Sequence, residues 1–254
     1  MDRQRPGVAW VTGAGKGIGR ALSLQLAREG WCVAASARTV DDLASLSAEA
    51  AGLKGRIVAY PLDVLDAACI PEAVRRVRRE LGEIDLAVLN AGTHIPMSAE
   101  TFDLAAFRHL VEVNLMGTVG CLAALLPCFI ARRGGEIAVV SSVAGYSGLP
   151  TSAAYGATKA GLINMCEALK PELDKLGVSL RLICPGFVDT PLTRKNDFRM
   201  PFMVTLERAA NEIIKGLASR RFEIVFPRRM SFAMKLLRLL PYRLFFALTR
   251  RVAG

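Results

Sequence analysis

A doubly wound α/β fold, a parallel sheet covered by helices on both faces, is predicted by three observations. Short apolar runs alternate with helical patterns along nearly the whole chain. The runs are continuously apolar, as in Ile137-Ala138-Val139-Val140, which marks strands buried on both sides. A glycine-rich turn joins the first run to the first helical pattern, where such folds bind ligands.

The strands are expected at residues 8–11, 32–35, 56–60, 86–89, 136–140, 179–183 and 223–226. Helices are expected at 18–29, 41–51, 71–81, 105–131, 153–176 and 206–219. The pattern reads as one domain over residues 1–227, and a chain of 254 residues can bury a full core in a single sheet of this kind. With 52% hydrophobic and 22% charged residues, disorder, collagen and coiled coil are excluded. Cys32, Cys69, Cys121, Cys128, Cys166 and Cys184 fall in no metal-ligand spacing, so reduced thiols, a cytoplasmic location and no metal site are expected. The first strand begins at Val8, and no targeting segment is expected before it. Residues 113–131 carry no charge, which raises a membrane span, but Asn114, Gly117, Gly120 and Pro127 interrupt them and favour a helix buried between the sheet and a neighbouring subunit.

Residues 228–254 form a basic amphipathic extension of the same domain. No acid follows Glu223, while Arg228, Arg229, Lys235, Arg238, Arg243, Arg250 and Arg251 contribute seven of the charges behind the net +10. They alternate with Met230, Phe232, Met234, Leu236, Leu237, Leu239, Leu240, Leu244, Phe245, Phe246 and Leu248, and Pro241 divides the stretch into two short helices. Two roles fit: a lid folded over the domain, or peripheral attachment to an anionic membrane surface. Nucleic acid is not expected, because no binding motif accompanies the charge.

After the first strand comes Thr12-Gly13-Ala14-Gly15-Lys16-Gly17-Ile18-Gly19. Gly13 permits a tight turn, while Gly17 and Gly19 let the backbone approach a pyrophosphate and the helix pack against the strand. The helix N-terminus offers unpaired N–H groups to phosphate. Gly17 follows Lys16 where a Walker A loop needs Ser or Thr. About 20 residues further on an acid would accept from the ribose of NAD. The second strand ends instead in Ser36-Ala37-Arg38, so Arg38, helped by Lys16, points to the 2′-phosphate of NADP(H), with Asp41 or Asp42 as the alternative that would serve the ribose.

Tyr155 and Lys159, four residues apart, share one helix face. A tyrosine of pKa about 10 needs a nearby cation to exchange protons at neutral pH, and Lys159 supplies one. Ser142 ends the strand at 136–140, at the carboxyl edge of the sheet.

With the glycine loop, these residues resemble the short-chain dehydrogenase/reductase family. Asp63, Asn90-Ala91-Gly92, Asn114 and Pro185-Gly186 follow its pattern in the same order. The resemblance implies a Rossmann-type sheet of about seven strands and an oxidoreductase that moves a hydride between a nicotinamide and a carbonyl or secondary alcohol. It implies that Tyr155 exchanges the proton, Ser142 polarises the oxygen, Lys159 binds the nicotinamide ribose and lowers the tyrosine pKa, and Asn114 positions a relay water. Asp63 and Val64 would border the adenine, Asn90, Ala91 and Gly92 the ribose, and Pro185, Gly186, Val188 and Thr190 the nicotinamide. Members of the family often end in a glycine-rich stretch packed between subunits of a tetramer. Here Phe226-Pro227 leads into the basic extension, so a homodimer through 105–131 and 153–176 is expected. The extension looks like the ends of members that reduce steroids, retinoids or lipids, which with His94, Ile95, Val143, Tyr146, Leu149 and Phe187 implies an apolar substrate beside the loop at 190–205. The other class of reading is an NADP(H)-binding sensor or membrane-associated adaptor without turnover.

Overall fold

The computed structural model describes residues 6–195 and 200–253, without the side chains of residues 195 and 251–253. Part of the expected loop at 190–205 and the side chain of Arg251 therefore lie outside the described residues.

Strands β1 (Val8–Thr12), β2 (Cys32–Ser36), β3 (Arg56–Ala59), β4 (Ile84–Leu89), β5 (Glu136–Val140), β6 (Ser179–Pro185) and β7 (Glu223–Phe226) form one sheet in the order β3-β2-β1-β4-β5-β6-β7. All neighbours are parallel. Trp10, Ala34, Ala87, Ile137, Val139 and Leu182 are buried in one core layer; Ala9, Val11, Val33, Val88, Ala138 and Ile183 are buried in the other. Burial on both faces explains why these strands read as unbroken apolar runs.

Helices α1 (Gly17–Arg28), α2 (Val40–Glu49) and α7 (Leu206–Leu217) cover one face through Leu22, Leu26, Leu43, Leu46 and Ile213. On the other face, α3 (Cys69–Leu81), α5 (Gly117–Ala131) and α6 (Ala153–Lys175) contribute Val74, Val77, Leu122, Phe129 and Leu162. The single helix expected at 105–131 is instead interrupted. Asp103 caps α4 (Leu104–Val111) by accepting from Ala106 N at 2.6 Å, a π turn spans Glu112–Met116, and α5 follows. The stretch Leu104–Ala131 is apolar enough to cross a bilayer by length and composition, yet its Leu110, Cys121, Leu122, Leu125 and Phe129 are packed inside the protein. The extension forms α8 (Arg228–Arg238) and α9 (Tyr242–Ala253), separated around Pro241, which cannot continue a helix begun before it.

At the amino end of the sheet, Glu136 on β5 and Arg181 on β6 form an ion pair of 2.6 Å with side chains only 4% and 12% exposed. Arg181 also donates to Arg221 O at 2.7 Å. Removing one member leaves a desolvated charge, whereas replacing both with apolar residues does not. Glu136→Ala should lower stability by about 3 kcal/mol, read as a reduced urea midpoint, and Glu136→Leu combined with Arg181→Leu should recover most of that loss.

Candidate active site

Chain order reverses between β1 and β4, so the connections leaving their carboxyl ends diverge and open a crevice. The loop after β1 is fixed to β4 by its own backbone. Asn90 Nδ2 donates to Thr12 O at 3.0 Å and Gly13 O at 3.2 Å, and Thr12 Oγ1 accepts from the N–H groups of Asn90 and Ala91 at 3.0 and 3.1 Å. Gly13, at φ +66°, sits where a Cβ would lie 2.8 Å from Ala91 Cα, and a Cβ on Gly19 would lie 2.3 Å from Gly13 O. These two glycines are required by close approach, not by the ligand alone. The first turn of α1 has no side-chain cap and no acid, so its N–H groups face the crevice unanswered.

The crevice holds a cavity of about 390 Å³ lined by Gly13, Gly15, Lys16, Gly17, Ile18, Arg38, Asp63, Val64, Asn90, Ala91 and Gly92. Its glycine backbone, uncapped helix end and flanking Arg38 suit a dinucleotide, so these residues would hold a nicotinamide cofactor when it binds. Arg38 is exposed on the rim and has no hydrogen bond or ion pair among the described residues. Lys16, by contrast, pairs with Asp42 at 3.3 Å. His109 and Thr39 also line this cavity, and neither carried a motif that would have revealed it. Asn90 faces the cavity, and its side-chain nitrogen is engaged by the loop after β1.

A second chamber of about 100 Å³ continues from the first, sharing Ile18, Asn90, Gly92, Thr93, Thr190 and Leu192 with it. Ser142, Tyr155, Lys159, Pro185, Gly186, Val188 and Thr190 line it, bringing the expected catalytic and nicotinamide-side residues together. Ser142 caps a short 3-10 turn at Val143–Gly145, its Oγ accepting from Ala144 N at 3.1 Å. Neighbouring Ser141 points elsewhere, donating to Lys159 O at 2.8 Å to tie α6 to β5. Lys159 is buried, with Nζ donating to Val140 O at 2.9 Å and lying 5.7 Å from the centroid of the Tyr155 ring. His94 packs edge-on against the same ring at 4.8 Å.

The electrostatics differ from the expectation that Lys159 lowers the tyrosine pKa. Burial pushes the Tyr155 phenol up to about 12, and its hydrogen bond with Ser142 opposes this without prevailing. Burial also pulls Lys159 down to about 8. Taking either charged form out of water costs more than the neighbouring groups return.

Gly19 and Asn114 line none of these chambers. Asn114 is fully buried in the π turn; its Oδ1 accepts from Thr93 N at 2.7 Å, and its Nδ2 donates to Thr93 O at 3.0 Å and Thr158 Oγ1 at 3.2 Å. With both donors used, its amide positions the loop after β4 against α6. The π turn is the local distortion that allows both contacts, and such turns recur at functional sites.

A third cavity of about 570 Å³ opens beyond Ser142 and Tyr155. His94, Val143, Leu149 and Phe187 line it as anticipated, whereas Ile95 packs with Met97 and Leu110. Tyr146 turns away to donate to Glu223 Oε1 at 2.5 Å, and Glu223 also pairs with Lys235. The outer wall comes from the extension: Met230, Met234 and Leu237 of α8 and Leu248 and Thr249 of α9. Their spacing of four and three places the α8 residues on one helix face, a signal present in the sequence.

Comparison with known proteins agrees with this geometry. Residues 7–199 match the family described as short chain dehydrogenase. An uncharacterized oxidoreductase of Myxococcus xanthus is 36% identical over 96% of both chains. The 3-oxoacyl-[acyl-carrier-protein] reductase FabG of Thermotoga maritima is 37% identical, covering 74% of this chain and 76% of its own. The structure of an alcohol dehydrogenase from the archaeon Thermococcus sibiricus, complexed with 5-hydroxy-NADP, superposes with a TM-score of 0.79 at 26% identity, over 87% of this chain and 95% of that one. A parallel sheet with its nucleotide crevice at the β1/β4 reversal, Ser142, Tyr155 and Lys159 gathered at one end of it, and these likenesses lead to one conclusion: the chain is an oxidoreductase of the short-chain dehydrogenase/reductase family, which uses a nicotinamide cofactor.

Proposed function

We propose that the protein reduces a lipophilic carbonyl, or oxidises the matching secondary alcohol, with NADP(H). The observation that carries this reading is the placement of Ser142 and Tyr155 on the shared wall between the nucleotide crevice and the large, mostly apolar cavity. When bound, the nicotinamide supplies or accepts the hydride. Tyr155 gives its proton to the substrate oxygen and Ser142 donates a hydrogen bond to it, so charge developing on that oxygen meets oriented donors. Lys159 stands beneath the tyrosine ring, and Asn114 holds the loop and helix that place both. A sensor would not require a proton donor and a hydroxyl to converge beside an apolar cavity.

Arg38 supports NADP(H), since it lies two residues beyond β2 with no ion pair among the described residues, while the rim acid Asp42 is engaged by Lys16. The alcohol dehydrogenase neighbour, whose structure carries 5-hydroxy-NADP, is consistent with that choice. A homodimer through the π turn, α5 and α6 is supported by the outward Met116, Ala123, Ala157 and Ala160, uncharged residues exposed on those elements. The six free cysteines suit the reducing cytoplasm.

Initial rates with ketones of increasing apolar size test the reaction. NADPH oxidation should rise with substrate size, and Tyr155→Phe should lower kcat at least about a hundredfold, the scale of general-acid catalysis. A chain that binds NADPH tightly but turns over no ketone or alcohol would overturn the enzymatic reading.

With the phenol held up near 12, it stays protonated through the neutral range, where reduction needs it so. Alcohol oxidation needs the phenolate, so its rate should climb with pH on the alkaline side while the reduction rate does not.

Arg38→Ala should raise the KM for NADPH by about tenfold or more, the worth of a charged hydrogen bond, and leave that for NADH nearly unchanged. Equal effects on both cofactors would remove the case for NADP(H).

The contact of Lys235 with Glu223, and of Glu223 with Tyr146, fastens α8 to the strand and turn beside Ser142. Because Lys235 is half exposed, the link is worth about 1 kcal/mol at most. Lys235→Met should therefore raise the KM for large apolar substrates about fivefold, with kcat on small ketones retained.

A further inference from the structure

The extension has two apolar faces, and the enclosed cavity uses one. On α8, Met230, Ser231, Met234 and Leu237 face inward, the methionines buried. The opposite side presents Phe232, Leu236 and Leu239, at 72%, 52% and 79% exposure. Their spacing of four and three aligns them as one stripe along the outside of the helix. On α9, Tyr242 and Phe246 stack at 5.6 Å and are 77% and 50% exposed, with Leu244 exposed at 55%. No core residue of the described chain covers these side chains, and so many large apolar groups gathered on one short segment mark a contact surface.

The charge around them narrows the partner. Arg228, Arg229, Arg238, Arg243 and Arg250 are exposed on the same two helices, and the sequence has no acid beyond Glu223 to neutralise them. A second copy meeting this face in a symmetric contact would set arginine against arginine. An anionic bilayer surface satisfies both features, with apolar side chains entering the boundary of the acyl region while arginines meet lipid phosphates.

We infer that the outer face of α8 and α9 docks on an anionic membrane surface, so that the helix pair walling the substrate cavity also contacts the lipid phase. The docking is independent of the reaction proposed above. Only its consequence, entry of a lipophilic carbonyl from the bilayer beside Leu248 and Thr249, rests on that reading.

Flotation of the full chain with phosphatidylcholine vesicles containing about 30% phosphatidylglycerol is the test. The protein should float with these vesicles, bind pure phosphatidylcholine at least about tenfold more weakly, and be released in about 1 M salt. Phe232→Ser, Leu236→Ser and Leu239→Ser together should reduce binding at least about tenfold. None of the three lines the cavity, so NADPH turnover of a small soluble ketone should persist and report that the variant is folded. In a separate variant, Phe232→Trp should shift its emission to the blue when anionic vesicles are added.

Absence of flotation, or binding indifferent to the triple substitution and to lipid charge, would overturn the inference. A triple variant whose main change is a smaller oligomer would assign the stripe to self-association and overturn it equally. Flotation by a chain without turnover would defeat the reaction proposal and leave the docking standing.

Discussion

The hydrogen bonds between Asn90 and Thr12 are the constraint on which the rest of the site depends. A parallel sheet whose order reverses has two connections leaving neighbouring strands in opposite directions, and a crevice between them is useful only if its walls are fixed. Thr12 and Asn90 fix them by joining the ends of β1 and β4, using one hydroxyl and one amide. The glycines then become a geometric necessity. The main chain of the phosphate loop is drawn so close to Ala91 and to α1 that Gly13 and Gly19 have no room for a side chain. The outward N–H groups of α1 follow from the same tight turn, because the backbone enters the helix at Lys16 without a side-chain cap.

Downstream of that clamp, the chemistry is governed by desolvation. Tyr155 and Lys159 occupy a site where the protein's own atoms favour their uncharged forms. The lysine is held by Val140 O, a neutral acceptor, at the edge of β5. Burial, more than pairing with an opposite charge, therefore sets the proton affinity of both groups. Asn114 serves this arrangement from a distance: by bonding Thr93 and Thr158 it sets the spacing between the loop that borders the crevice and the helix that carries Tyr155.

The alternation of strands and helices, the glycine turn between β1 and α1 and the shared helix face of Tyr155 and Lys159 were legible because they depend on local patterns, whereas Ser142 joined them through the family resemblance. The π turn at Asn114 was not legible, since it arises from two tertiary hydrogen bonds that no local periodicity encodes. The burial of Tyr155 and Lys159 was hidden for a similar reason: a four-residue spacing reads as a pair on one helix face, but how deeply both partners are covered depends on the fold. That Asn90 clamps the phosphate loop was not legible either, because its partners Thr12 and Gly13 lie far away in the chain. The extension stood between the two cases. Its division at Pro241 and its amphipathic character could be read directly, whereas the use of Met230, Met234 and Leu237 as a cavity wall depends on where β7 delivers the chain.

That delivery point explains the character of the cavity. Because β7 lies next to β6, the chain leaving it passes directly over Gly186, where a Cβ would come within 2.7 Å of Met230 Sδ. The extension is thus seated on the same loop that closes the nicotinamide end of the crevice. Its contribution is almost entirely apolar, and the hydroxyl it brings, on Thr249, is already donated to Phe245 O at 3.0 Å. Thr193, on the facing loop, likewise spends its hydroxyl on Val188 O. Ser142 and Tyr155 line both this cavity and the chamber that continues from the crevice, so the apolar wall laid down by α8 and α9 stands across from them. Methionine is unbranched and adapts its shape, so the wall that α8 sets over Gly186 is compliant as well as apolar.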